Sequence, residues 1–268
     1  MLKCARHSAH HHALLQATHH TAPQAPVVVF DVAITPITLD GLLSCLKKAV
    51  ECACRTTILY GNIHTLNHAY RDCDLRQALA QADMVYCDGE GVRWGARLLG
   101  QSLPERLTGA DWIYDLAEMC QDGQYSLFLL GGEPGVADAA AARLWSLYPG
   151  LNIVGLHHGF FPQEGPENEA LIQTINRHTP HILLVGLGTP VQEKWISRNR
   201  SRLNVSVVWA MGGTMDFVSG RVPRAPRWMC HNGLEWLFRL LVEPQRLWKR
   251  YLIGNTLFFW RVLKEVCR

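Results

Sequence analysis

No run of 18 uninterrupted apolar residues occurs in this 268-residue chain, so a standard membrane-spanning helix is not expected. Charged side chains are scarce, at 18%, against 48% hydrophobic. That composition can build a full core and does not read as disordered. The net charge of +3 is too small for a nucleic-acid-binding protein judged on totals, and no nucleic-acid partner is expected. The nine cysteines lack a framework: their number is odd, no pair of CxxC motifs occurs, and the single Cys52-x-Cys54 has no second pair at zinc spacing. Reduced thiols in a cytosolic protein are expected. GxGxxG is missing, because the position after Gly186 and Gly188 that would need glycine holds Val191. GxxxxGK[ST], HExxH and Gly-x-Ser-x-Gly are missing too, and Asp72-x-Asp74 falls on a helix rather than at a strand end. These absences speak against a dinucleotide fingerprint, a P-loop, a zinc protease and an esterase elbow. No cofactor and no bound metal are expected.

What is present is unevenly placed. Residues 221–268 hold ten Lys or Arg against three Asp or Glu, a net of +7, which leaves −4 on the other 220 residues. The same segment carries Trp228, Trp236, Trp248 and Trp260, four of the nine tryptophans. Cations mixed with Trp, Phe and Leu suit an anionic membrane surface. The plainer reading is a helical subdomain with a solvated basic face. At the other end, residues 1–25 are His-rich and lack the apolar stretch of a secretory signal. They read as a disordered leader, although a His-rich tract can bind metal.

Between these ends, strand and helix patterns alternate. Strands are expected at Val27–Ala33, Thr56–Tyr60, Met84–Tyr86, Ser126–Leu130, Leu151–Leu156, His181–Leu187 and Val205–Met211. Helices are expected at Leu39–Val50, Asn67–Ala82, Val92–Leu99, Asp111–Cys120, Val136–Leu147, Glu167–Arg177 and Val191–Arg202. Such alternation, with glycines at strand ends, predicts an α/β fold with a Rossmann-like, mostly parallel sheet and flanking helices. Ligands then sit beyond the carboxyl ends of the strands. After Asp216 only helical signals remain, roughly Asn232–Val242, Pro244–Ile253 and Thr256–Val266. A boundary near residue 220 therefore separates an α/β domain, 26–220, from a basic helical appendage, 221–268.

The strand-end loops are the candidates for chemistry. Gly131-Gly132, Gly186-x-Gly188 and Gly212-Gly213 all sit at strand-to-helix turns, where glycine lets backbone N–H groups approach phosphate oxygens. Each pair taken singly is more often a tight turn than a phosphate site; three at one sheet edge favour a nucleotide-like ligand. Asp88 follows a strand and precedes Gly89, so it can act as a general base on a hydroxyl nucleophile or cap the next helix. Asp111 opens a helix, and Asp216 follows the Gly212-Gly213 turn.

Several segments together resemble the WecG/TagA/CpsF family of glycosyltransferases: GNIHTLNHAYRDCDLRQALAQADMVYCDGEGVRWG, ERLTGADW, FLLGGEPGVADAA, ILLVGLGTPVQEKWI, WAMGGTMDFVSGRVPRAPRWM and LEWLFRLLVEPQRLWKRY. They span nearly all of the chain from about residue 27. The resemblance implies a metal-independent inverting transfer of a sugar from a UDP-sugar donor to a polyprenyl-diphosphate-linked saccharide. It implies a peripheral enzyme on the cytoplasmic face of the bacterial plasma membrane, docked through residues 221–268, and hexosyl, N-acetylmannosaminyl or mannosaminuronyl transfer in surface polysaccharide synthesis. It makes Asp88 the general base and Asn62 the pocket asparagine of a Thr-x-Asn motif whose threonine is here Tyr60. Gln192 is placed beside the nucleotide, with Gly131, Gly132, Gly186, Gly188, Gly212, Gly213 and Asp216 as loop contacts. Arg221, Arg224 and Arg227 fall in a basic turn that meets diphosphate, Arg221 and Arg224 as leaving-group stabilisers. The Trp- and Leu-rich tail also offers a surface for homo-oligomerisation. Two other readings are a catalytically silent UDP-sugar-binding membrane module and an NAD-type oxidoreductase; the missing GxGxxG speaks against the second.

Overall fold

The structure is a computed structural model and describes residues 25–267. Apart from Ala25, the leader expected over residues 1–25 lies outside the described residues. The first expected strand is instead a hairpin. β1 (Val27–Val29) and β2 (Val32–Ile34) pair antiparallel around Phe30 and Asp31, whose φ angles are 51° and 62°. Two consecutive positive φ values make the tight turn that matches strand twist. It escapes sequence reading because neither residue is the Asn or Gly that usually announces it.

β3 (Thr56–Gly61), β4 (Met84–Cys87), β5 (Leu127–Gly131), β6 (Ile153–His157), β7 (Ile182–Gly186) and β8 (Val207–Ala210) form one parallel sheet in the order β4-β3-β8-β7-β5-β6. Every residue of β3, β4, β5 and β8 is buried. Successive strand residues point to opposite faces, so both faces of the sheet are covered, as unbroken runs such as LFLLG and ILLVG require. The covering helices are α1 (Leu39–Glu51), α2 (Ile63–Ala69), α3 (Cys73–Gln81), α4 (Glu90–Leu98), α5 (Gly109–Asp122), α6 (Val136–Leu147), α7 (Pro166–His178) and α8 (Val191–Asn199). At the centre of the core, Trp112 of α5 stacks on Trp209 of β8, with ring centroids 3.9 Å apart.

The single helix expected over Asn67–Ala82 is two. Asp72 breaks it by accepting the Leu75 N–H at 3.1 Å, which caps α3. Cys52 and Cys54, expected as reduced thiols, are joined in a disulfide just beyond α1.

Beyond β8 come α9 (Thr214–Val218), α10 (Arg227–His231), α11 (Glu235–Val242), α12 (Pro244–Trp248) and α13 (Gly254–Val266). A π-helical turn, Lys249–Ile253, joins α12 to α13 without a break. The expected helical segment is present, but its last helix is seated in the main core. Phe258 and Val262 are fully buried with the sheet residues. Phe258 lies 5.3 Å from Phe30, ring to ring, and a Cβ on Gly95 of α4 would sit 2.7 Å from its ring. Only glycine leaves room for that aromatic. Among the described residues, no helix is long and apolar enough to cross a membrane.

Candidate active site

A cleft of about 980 Å³ opens over the carboxyl ends of the strands and is roofed by the C-terminal helices. β3 delivers Tyr60 and, one residue past its end, Asn62; β4 delivers Asp88. The parallel register sets Gly61 beside Cys87, and the Asp88 N–H donates to the Gly61 carbonyl at 3.0 Å. Asn62 divides its amide between two tasks. Its Oδ1 accepts from the Thr65 N–H at 2.9 Å and from the Thr65 hydroxyl at 3.1 Å, which caps α2. Its Nδ2 donates to Asp88 Oδ2 at 3.2 Å. The helix start therefore fixes the carboxylate.

Burial pushes the Asp88 carboxyl above the ordinary aspartate range, and Glu235 adds to the rise; the Asn62 hydrogen bond, Arg250 and Arg106 pull the other way. A carboxylate with raised proton affinity, aimed into a cleft, is equipped to take a proton from a hydroxyl. Burial likewise raises Asp216, which lines the same cleft, against the pull of Arg221 and Arg246.

The glycine loops interlock. A Cβ on Gly131 would lie 2.3 Å from the Gly186 carbonyl oxygen, and one on Gly186 would lie 2.6 Å from that of Gly212. Gly131 is consumed in this backbone packing and does not line the cleft; Gly132, Gly186, Gly188, Gly212 and Gly213 do. Gln192 stands behind the cleft wall, fully buried. Its Nε2 donates to the Tyr60 hydroxyl at 2.8 Å and to Glu193 Oε1 at 2.9 Å, while its Oε1 accepts from the Gly212 N–H at 3.1 Å.

Of the three arginines singled out in the sequence, only Arg221 lines the cleft, where it pairs with Glu133 at 2.6 Å. Arg224 turns away and donates to the Ala110 carbonyl at 2.7 Å and to Asp111. Arg227 is exposed at the start of α10 and stays outside the cleft wall. The cleft instead receives Arg106, Arg239, Arg246 and Arg250, none of which sequence reasoning named. Arg106 spans Glu235 at 3.1 Å and Asp111 at 3.4 Å, so it ties the C-terminal helices to α5. A signal for the others did exist. Glu235, Arg239, Glu243, Arg246 and Arg250 recur at three- or four-residue intervals, which puts them on one helical face.

His64 also lines the cleft, beside a second groove of about 720 Å³ that shares His64, Arg246 and Arg250 with it. Burial, Arg250 and His68 push the His64 imidazole down to about 3, so it is neutral at physiological pH. Among the described residues, no group of three His, Cys, Asp or Glu is placed to hold a metal ion.

A parallel α/β sheet whose strand-end cleft is lined by a carboxylate and a set of arginines has the layout of an α/β enzyme that binds its ligand beyond the strand ends. The model of the WecG/TagA/CpsF family of glycosyl transferases matches residues 27–268, and the chain belongs to that family. It is a glycosyltransferase. The chain is 33% identical, over 74% of its length and 75% of the relative's, to the N-acetylglucosaminyldiphosphoundecaprenol N-acetyl-beta-D-mannosaminyltransferase of Bacillus subtilis (strain 168). It is 27% identical to the Staphylococcus aureus (strain NCTC 8325 / PS 47) protein of the same name, over 77% of this chain and 79% of that one.

Proposed function

We propose that this protein transfers a sugar, with inversion, from a UDP-sugar to a polyprenyl-diphosphate-linked saccharide, and that Asp88 is the base. The observation that carries the reading is Asp88 itself, held by Asn62 in a cleft that is also lined by Arg106, Arg221, Arg239, Arg246 and Arg250. The relatives' name supplies the acceptor class, a sugar on undecaprenyl diphosphate.

In this reading the acceptor hydroxyl attacks the anomeric carbon as Asp88 takes its proton. The new carbon–oxygen bond forms on the face opposite the departing diphosphate. The old bond breaks, and its electron pair stays on the β-phosphate oxygen. Charge grows there, where Arg221, Arg239, Arg246 and Arg250 are within the same cleft. Removing one such donor from a developing oxyanion costs about 3 kcal/mol, roughly a hundredfold in rate. With these cations serving the leaving group, the reading routes no step through a metal, and transfer is expected to run equally well in excess EDTA.

We also assign residues 221–268 to docking on the inner face of the bacterial plasma membrane, where such an acceptor lies. Exposed Trp248, Leu252, Ile253, Trp260 and Leu263 stand on the helical stretch that roofs the cleft, and exposed Trp228 on α10. Lys249 and Lys264 lie over the Trp248 and Trp260 rings.

The test is transfer of label from a panel of UDP-sugars into a diphosphate-lipid saccharide. Label is expected to enter the lipid fraction from one donor and to fall at least a hundredfold in Asp88→Asn. Near-normal turnover by that variant removes Asp88 as the base. UDP binding with no transfer to any defined acceptor favours the silent binding module.

A further inference from the structure

We propose that Tyr60 sets the size of sugar that the cleft admits, its phenol closing the floor beside Asp88 so that a hydroxyl-bearing donor sugar is preferred over one carrying an acetamido group. This rests on the glycosyl-transfer reading and goes beyond it by naming what limits the donor.

Four observations bear on it. First, Tyr60 pairs in register with Tyr86, two residues before Asp88, and both Tyr60 and Asp88 line the cleft. The ring is therefore a neighbour of the reacting centre. Second, the ring cannot retreat. It is 6% exposed, and its oxygen would lie 2.6 Å from a Cβ on Gly212, so the space behind it is already closed. Third, the support behind the ring is saturated. Gln192 is fully buried, and its amide is committed to the Tyr60 hydroxyl, to Glu193 and to the Gly212 N–H. The family resemblance implied a place beside the nucleotide for Gln192; in the structure Tyr60, to which it donates, lines the cleft and Gln192 does not. Fourth, the phenol is tied into the wall by its hydroxyl. Gln192 donates to its oxygen at 2.8 Å, and the Thr189 hydroxyl lies within hydrogen-bond distance of it at 3.4 Å. Thr189 in turn donates to Glu193 at 2.8 Å. Burial keeps the phenol protonated, and its proton is left to face the Thr189 oxygen, which holds the ring in position.

A rigid aromatic floor excludes a substituent more sharply than a flexible one, because the packed core behind it does not yield. Discrimination of one substituent by pocket size reaches about 10–200-fold. The probes are UDP-glucose and UDP-N-acetylglucosamine, which differ only in the group on carbon 2. Their dissociation constants are to be measured by calorimetry on the wild type, Tyr60→Thr and Tyr60→Phe, with transfer to a diphosphate-lipid acceptor measured separately.

The wild type is expected to bind UDP-glucose at least tenfold more tightly. Tyr60→Thr is expected to abolish that preference, and Tyr60→Phe, which keeps the ring, to retain it. Equal affinities in the wild type overturn the proposal without recourse to any variant. An unchanged ratio in Tyr60→Thr overturns it as well, and Tyr60→Leu reads the same ratio if the threonine variant does not fold. Discrimination in binding with no transfer from any donor keeps the role of Tyr60 and removes the glycosyl-transfer reading. Transfer with a flat ratio does the reverse.

Discussion

A base in a closed cleft has to be held in place and has to want its proton, and the two demands conflict at Asp88. The Asn62 hydrogen bond that orients the carboxylate also favours its ionised form, whereas burial favours the neutral one and prevails. The sign follows from linkage. The folded-state pKa lies above the unfolded one, so the favourable contribution is complete below the ordinary aspartate value and disappears as pH rises through the raised pKa. Ionised Asp88 thus costs stability at neutral pH. Asp88→Asn is expected to melt higher than the wild type at pH 7 while losing turnover, with the gap closing as pH falls below 4; thermal melts across that range measure it. The acid limb of kcat/KM is expected above the ordinary aspartate range, and Asn62→Ala is expected to move it to still higher pH by removing a group that lowers the pKa. A limb that Asn62→Ala leaves in place means another group titrates. Asp88 and Asn62 were both legible in the sequence, one from its strand-end position and both from the family motif. Their hydrogen bond was not, because it depends on the register of β3 against β4. Gln192 shows the same limit, since a motif marks a residue without saying which side of a wall it occupies.

At the scale of elements, alternation of patterns placed nearly every strand and helix, and the differences have local causes. Asp72 splits one expected helix because its carboxylate serves the Leu75 N–H better than a continuing helix would. Asp72→Ala is expected to cost about 1 kcal/mol, readable in urea unfolding. Part of any excess belongs to Lys194, whose Nζ lies 2.7 Å from Asp72. The seat of α13 had no visible signal, because what makes it is Gly95, 163 residues earlier in α4. Phe258→Ala is expected to destabilise the protein by about 3–5 kcal/mol. Gly95→Ala is expected to destabilise it too, by displacing the same ring. A Gly95→Ala, Phe258→Leu double variant is expected to be less damaged than the sum of its parts; strict additivity in unfolding measurements argues against the contact.

The whole molecule is an α/β body of slight negative charge whose cleft is completed by a positively charged helical roof. The charge imbalance and the run of tryptophans were plain in the composition, but which arginines turn inward and which aromatics turn outward follows only from how the last helices lie. The outward set includes Trp248 and Trp260, each half-exposed beneath a lysine. Binding to vesicles containing phosphatidylserine is expected, weakening as salt is raised. Replacement of both tryptophans by glutamine is expected to lower binding several-fold without changing UDP affinity. Flotation of vesicles with and without anionic lipid measures this, and equal binding to neutral vesicles argues against the electrostatic part.

Phe30, at the tip of the first hairpin, has its buried neighbour Phe258 in the last helix. During synthesis this aromatic is made 228 residues before the one that covers it. Arg239, Arg246 and Arg250 arrive in that same final stretch. The nascent chain therefore has both an open apolar contact and an incomplete cleft until that stretch has been made. A chain cut short before α11 would lack both the cover of Phe30 and three of the arginines of the cleft.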